Sequence, residues 1–247
     1  MEPIDPFQTV YCIWPGGAMS YVEHAGLASF QAAGYEVCVV AFTLPLQLRA
    51  GVHWVDAWEY VNPPEGEIQL AARATCDRLR FAVLRRQPGA LVVDPGIYRL
   101  APLTPIKGRL FAWADDRRVG TSLLALPEDS ATLAALAPRA DGSDPGALGA
   151  AELSRALQSS GEGRHALPRY AVTPVPLLKR HQLLTRTVDE ARLIKREAVA
   201  IDLHAPVLRR DLARTGGVPD RWSLLGRLMA RFGVCVGDAP LEVAKAG

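Results

Sequence analysis

Apolar and polar positions follow two rhythms along the first hundred residues. "TVYCIW" (9–14) and "YEVCVVAF" (35–42) are near-continuous apolar runs of strand length, and "YVEHAGLASFQAAG" (21–34) between them has helical spacing and stops at Gly34. With the turn "PGGAMS" after the first run, the segment predicts a β-α-β unit. Continuous apolar strands, as opposed to alternating ones, imply a sheet covered on both faces and therefore a largely parallel one. "IQLAARATCDRLRFAVLRRQPGA" follows, with Ala72, Cys76, Leu79 and Val83 at helical intervals and a Pro-Gly stop. It predicts a helix that feeds the strand "ALVVD", which ends at Asp94. The fold class is α/β.

The rhythm loosens in the second half. "RLFAWADDRRVGTSLLALP" reads as two strands joined by an acidic-basic turn. Residues 128–168 combine a short Ala-rich helix, the stretch "PRADGSDPGALG", a second short helix and the loop "SSGEGR", which predicts an insertion or lid. A strand in "REAVAIDL" precedes C-terminal helices over 205–233, from "APVLRRDLART" and "DRWSLLGRLMARFG". In the last of these Trp222, Leu225, Leu228 or Met229, and Phe232 form a stripe expected to pack on the protein's own core. No internal repeat interrupts the pattern, so residues 1–247 are expected to form a single domain.

Composition narrows the function classes. A chain of 247 residues, 49% hydrophobic and 22% charged, can bury a sizeable core. Lys plus Arg total 28 against 26 Asp plus Glu, a net charge of +2, so there is no global basic field and nucleic acid is not an expected partner. Cys12, Cys38, Cys76 and Cys235 are widely spaced without a CxxC pair, which predicts reduced thiols, no zinc and a reducing compartment. No apolar run nears the roughly 18 residues of a membrane span, and "MEPIDPFQTV" lacks the charged-then-apolar order of a signal peptide. The expectation is a cytoplasmic protein with no transmembrane segment.

Three features carry candidate chemistry. Asp94 stands where a parallel strand leaves its sheet, a common place for phosphate or metal in open α/β folds, though Asp-Pro-Gly is also ordinary turn chemistry. Asp77 and Arg80 share one helical face, where an ion pair at the surface is worth at most ~1 kcal/mol. Gly16 and Gly17 allow close backbone approach to a phosphate without forming GxGxxG or a Lys-bearing phosphate loop. Asp115 and Asp116 read as a charged hairpin turn; His24, His53, His165 and His181 show no metal-ligand spacing; no Ser sits in G-x-S-x-G.

Together these features, in the order strand-Trp-x-Gly-Gly, helix, strand, Asp-x-x-Arg on a helix, strand-Asp and "LAPL", resemble the nucleotide-sugar-dependent glycosyltransferases of GT-A fold. The likeness is to bacterial polysaccharide-synthesis transferases of the DXD sugar-binding-region group, relatives of yeast α-mannosyltransferases and of the large clostridial glucosylating toxins. It runs through "CIWPGGAMSYVEHAGLASFQAAGYEVCVVAF", "AGVHWVDAWEYVNPP", "TCDRLRFAVLRRQPGALVVDPGIYRLAPL", "SLLALPEDSATLAAL" and "AIDLHAPVLRRDL", most of residues 10–232. The resemblance implies a GT-A-like α/β fold, a nucleotide-sugar donor bound by Trp14, Gly16, Gly17, Asp77 and Arg80, and a glycan or surface-polymer acceptor. It also implies Mn²⁺ or Mg²⁺ held by Asp94, the first carboxylate of the metal motif, and retention at the anomeric centre; Asp202, at a departure from the family pattern, or nucleotide phosphates are the candidates for the cation's further ligands. No nucleophile or general base is assigned.

The departures bear on activity. The family's Asp-x-Asp is here Asp94-Pro95-Gly96, its His-Leu-Trp is Asp202-Leu203-His204, an Asn pair is Gly120-Thr121, and a Thr-Gly-Pro loop is "TPVP" (173–176). His204, two residues from Asp202 in a strand-like stretch, is expected on the opposite side from it. Two classes of function remain open: an active transferase, with metal or with cations such as Arg80 stabilising the leaving group, or a degenerate, non-catalytic module serving as a glycan-binding or structural component with a protein partner.

Overall fold

The computed structural model describes residues 7–61, 72–87, 89–140 and 148–241. The start of the helix expected from residue 68, Pro88 of its stop signal and most of "PRADGSDPGALG" lie outside the described residues. In chain order the elements are β1 (Thr9–Ile13), α1 (Tyr21–Gln31), β2 (Glu36–Ala41), β3 (His53–Asp56), α2 (Ala72–Arg86), β4 (Leu91–Val93), β5 (Ile97–Arg99) and β6 (Leu123–Leu124). Then follow α3 (Ala131–Ala140), α4 (Ala150–Ser159), α5 (Glu190–Lys195), β7 (Ala200–Asp202), α6 (Ala205–Arg214) and α7 (Leu224–Arg231).

The main sheet has the order β3-β2-β1-β4-β6, with β3, β2, β1 and β4 parallel and β6 antiparallel at the edge. The chain moves outward from β1 to β3, then returns through α2 to place β4 on the other side of β1. The direction of winding therefore switches between β1 and β4, and in open α/β sheets the crevice for ligands lies outside the carboxyl ends of the strands at such a point. Trp14 and Asp94 are the residues that follow those two ends.

Continuous apolar strands are explained by two-sided burial. Val10 and Cys12 pack with Leu27 and Phe30 of α1, whereas Ile13, Val40 and Val92 pack with Leu79 and Val83 of α2, Leu133 and Leu136 of α3, and Leu153 and Leu157 of α4. The segment 128–168, expected as an insertion or lid, thus supplies two helices to the core layer on one face. A third cluster lies on the far side of α1, where β5 and β7, paired antiparallel, join α6 and α7.

The strand expected in "REAVAIDL" is present as β7, paired with the unforeseen three-residue β5 in a separate two-stranded sheet. Two other sequence expectations are corrected. Of the two strands expected from 109–127 only β6 is a strand, the rest being isolated bridges such as Trp113 with Val119 across the acidic-basic turn. Trp222 precedes α7 and is 51% exposed; the helix buries Leu224, Leu225, Leu228 and Met229 instead, while Phe232 stacks on Tyr98 at 5.9 Å.

One carboxylate ties the 128–168 segment down. Glu162, 7% exposed, accepts from Arg109 Nη2 (2.6 Å), Ser130 Oγ (2.7 Å) and the Ala131 amide (3.2 Å) at the start of α3. Burial alone would raise its pKa, but the hydrogen bonds from Arg109 and Ser130 bring it down from 4.5 to about 2. A folded pKa below the unfolded one stabilises above the unfolded value and is lost as pH falls. Glu162→Gln is expected to cost about 3 kcal/mol near pH 7. Urea midpoints of the two proteins should converge as pH falls from 4.5 toward 2.

Candidate functional site

Arg80 is the centre of the site. It lies on α2, 3% exposed, and its guanidinium forks: Nη1 donates to Asp77 Oδ1 (2.5 Å) one turn earlier, and Nη2 to Asp94 Oδ1 (2.5 Å) at the end of β4. The Asp77–Arg80 pair is therefore not a surface pair. Burial opposes the charge on Arg80, yet Asp94 and then Asp77 more than offset it and push the pKa further up. The Asp94 side chain keeps 44% of its surface exposed, against 11% for Asp77. Arg80 thus holds a solvent-facing carboxylate from beneath. Nor is Asp94 a turn cap: the turn is closed by its main-chain carbonyl, which accepts from the Ile97 amide (3.0 Å).

Neighbouring segments converge on the same mouth. The Asp94 amide donates to Ser122 O (2.8 Å), which brings "GTS" (120–122) alongside β4. Asp202 pairs in register with Ile97, and the Leu203 amide donates to Gly96 O (2.8 Å), so β7 ends beside the Asp94 turn. Burial raises the Asp202 pKa; His204 works against the rise, and the charge of Asp94 adds to it. His204 is not on the opposite side from Asp202 as expected; residues two apart along a strand share a face, and the ring meets Asp202. With φ at +51° it folds back, its amide donating to Asp202 Oδ1 (2.7 Å), its Nδ1 at 3.4 Å from the same oxygen, and its Nε2 at 2.9 Å from Val175 O. A carbonyl only accepts, so Nε2 carries the proton, and "TPVP" is pinned to the site through this ring.

The β1 side is differently built. Trp14 is 6% exposed, packed in the core, with Nε1 donating to Gly17 O (3.1 Å) across the turn. Gly16 and Gly17 have φ of +126° and +82° with nothing near their missing Cβ positions, so the backbone conformation, not a close neighbour, calls for glycine there. The N-terminus of α1, a natural anion site, is taken by the chain itself: Glu23 Oε2 accepts from the Ser20 amide (2.8 Å) and from Ser20 Oγ (2.5 Å), and Arg209 approaches Oε1 (3.4 Å).

The structure therefore brings Asp77, Arg80, Asp94 and Asp202 together, with Trp14, Gly16 and Gly17 along the neighbouring strand end. Glycine packing was missed from the sequence. A Cβ on Gly26 would meet Pro95 O at 2.3 Å and Ile97 O at 2.8 Å, and one on Gly96 would meet Ala205 Cβ at 2.9 Å. Gly26 carried a readable signal, since glycine inside a helix is unfavourable without a packing reason. Among the described residues, no group of three or more His, Cys, Asp and Glu side chains is placed to hold a metal ion. One oxygen each of Asp94 and Asp202 is engaged, by Arg80 and by the His204 amide.

No family model matches the chain, and no curated protein does. Among solved structures it is similar to one titled "PaToxG Glycosyltransferase", with a TM-score of 0.45 and 15% identity over 66% of this chain and 71% of that one. Among the described residues no helix is long and apolar enough to cross a membrane.

Proposed function

We propose that the protein is a nucleotide-sugar-dependent glycosyltransferase acting on a saccharide or surface-polymer acceptor, with the donor diphosphate at the crevice between the ends of β1 and β4. The observation that carries this reading is the Asp77–Arg80–Asp94 fork at the switch point, the pair and the strand-end carboxylate on which the sequence likeness to GT-A enzymes rests. Asp94 and Asp202 fit a divalent cation that takes its remaining ligands from phosphate and water, as Mg²⁺ commonly does; they are too few to hold one alone. Bound there, Mn²⁺ or Mg²⁺ would offset the charge of the leaving diphosphate. The chain's own residues orient Asp94 through Arg80 and Asp202 through His204.

A second reading, a glycan-binding module without catalysis, is favoured by one specific feature. Ala205 fills the space into which a second carboxylate at position 96 would project.

Calorimetry with nucleoside diphosphates and nucleotide-sugars, with and without Mn²⁺, tests both. Expected are no metal uptake without nucleotide, nucleotide binding strengthened by Mn²⁺, and loss of only that metal-dependent increment in Asp94→Ala. Absence of nucleotide binding at millimolar concentration in both conditions would remove the transferase reading and leave the module.

A further inference from the structure

A cleft of about 600 Å³ opens along α4 and the 113–119 turn, lined by Trp113, Asp116, Arg117, Gln158 and Arg164 over a floor of Val119 and Leu157. Its position follows from two elements already described. Ser122 O accepts from the Asp94 amide, and Val119 in the cleft is three residues earlier, so at most about 10 Å of chain separates the cleft floor from Ser122. Gly149 caps the start of α4, where a Cβ would lie 3.4 Å from Asp77 Oδ2, and the helix carries Gln158 about two and a half turns further on.

The cleft walls are tied mainly through the backbone, Ser154 and Arg118, while Arg164 Nε also donates to His165 Nε2 (3.3 Å). Ser154 Oγ accepts from the Val119 amide (2.8 Å) and donates to Ala150 O (2.5 Å), pinning α4 to the 119–122 segment. The Trp113 amide donates to Leu167 O (3.0 Å), and Arg118 is locked onto Asp115 by Nε (2.9 Å) and Nη2 (2.7 Å). Trp113 itself stays 36% exposed. Two guanidiniums, Arg117 and Arg164, against the single Asp116 leave the rim positive. The pKa of His165 beside it is lowered by burial and then by Arg164, Arg109 and Lys107, with Glu162 opposing.

The geometry points to an acidic saccharide as the ligand of this cleft and as the acceptor class, with a pyranose ring on the Trp113 face, a carboxylate met by Arg117 and Arg164, and hydroxyls met by Gln158 and Asp116. A sugar ring presents C–H groups on its face and hydroxyls on its rim. The electron-rich indole face suits the first, and planar amide, carboxylate and guanidinium groups suit the second. As an acceptor site the cleft rests on the transferase reading.

The test is calorimetry of the whole chain with a hyaluronan tetrasaccharide, a neutral chitin tetrasaccharide and sodium sulfate. Binding of the acidic tetrasaccharide is expected, weakened about tenfold or more by Trp113→Ala and retained in Trp113→Phe. Arg164→Gln should weaken the acidic ligand several-fold and leave the neutral one within about twofold. No heat with the acidic tetrasaccharide, equal affinity in Trp113→Ala, or sulfate binding as tightly as the saccharide would each overturn the assignment. Titrating the parent protein with nucleoside diphosphate separates the two readings. Saccharide binding absent with nucleotide binding present sinks the cleft alone; nucleotide binding absent with saccharide bound sinks its acceptor role alone.

Discussion

Arg80→Leu is expected to destabilise the protein by about 3–5 kcal/mol at neutral pH, the usual cost of removing one member of a buried charge group. Most of that loss should come through Asp77, whose side chain is 11% exposed; Asp94, at 44%, can recover part of its hydration. The pH dependence identifies the mechanism. Losing the guanidinium removes the charge that favours the ionised forms of Asp77 and Asp94, so the penalty shrinks as pH falls through the carboxylate range and grows as pH rises. Urea midpoints at pH 4 and pH 8 should therefore show a small deficit at the lower value and the full deficit at the higher. Cavity formation alone would give the same deficit at both. Arg80→Lys keeps the charge but lacks a second fork tine, and it should restore part of the stability while leaving Asp94 unheld.

The same residues show how far the sequence could be read. The β-α-β unit was legible because its strands are apolar on both faces and its helix stops just before Gly34, which has φ of +88°. β5 was not, because "IYR" has three residues and its partner β7 is about a hundred positions away. Spacing placed Asp77 and Arg80 on one face, but nothing local says that the fork's second tine reaches Asp94, which depends on how α2 packs against β4. Trp14 illustrates a different limit. An aromatic at a strand end reads alike whether its ring faces a ligand or the core, and here the 6% exposure and the bond to Gly17 O depend on the turn that follows. Gly96 read as a missing carboxylate; its physical meaning, close approach of the first residue of α6, needed the third cluster to be assembled.

Gly26→Ala should be, with Gly226→Ala, among the most damaging single-methyl changes at the described glycines. The added carbon would lie 2.3 Å from Pro95 O and 2.8 Å from Ile97 O. Both are backbone atoms of the turn after Asp94, held by the Ile97 amide bond to Asp94 O and, at Gly96 O, by the Leu203 amide. Neither oxygen can swing away as a side chain would, so α1 must retreat from β5 or the turn must move. Alanine's better helix propensity, worth at most about 1 kcal/mol, cannot offset an overpacking cost of about 3 kcal/mol in a site without slack. A loss of at least about 2 kcal/mol in urea unfolding is the expected net result. If nucleotide binding resides at Asp94, it should fall in the same variant even where the protein remains folded, because the displaced atoms directly follow that carboxylate. Gly34→Ala is the control: it strains a positive φ at the far end of α1 with nothing near its Cβ, and should cost stability while leaving the binding isotherm unchanged. A Gly26→Ala protein as stable as the parent would mean that α1 does not pack on the 95–97 turn. The route by which the main sheet and the β5–β7 ribbon jointly position Asp94 would then be wrong.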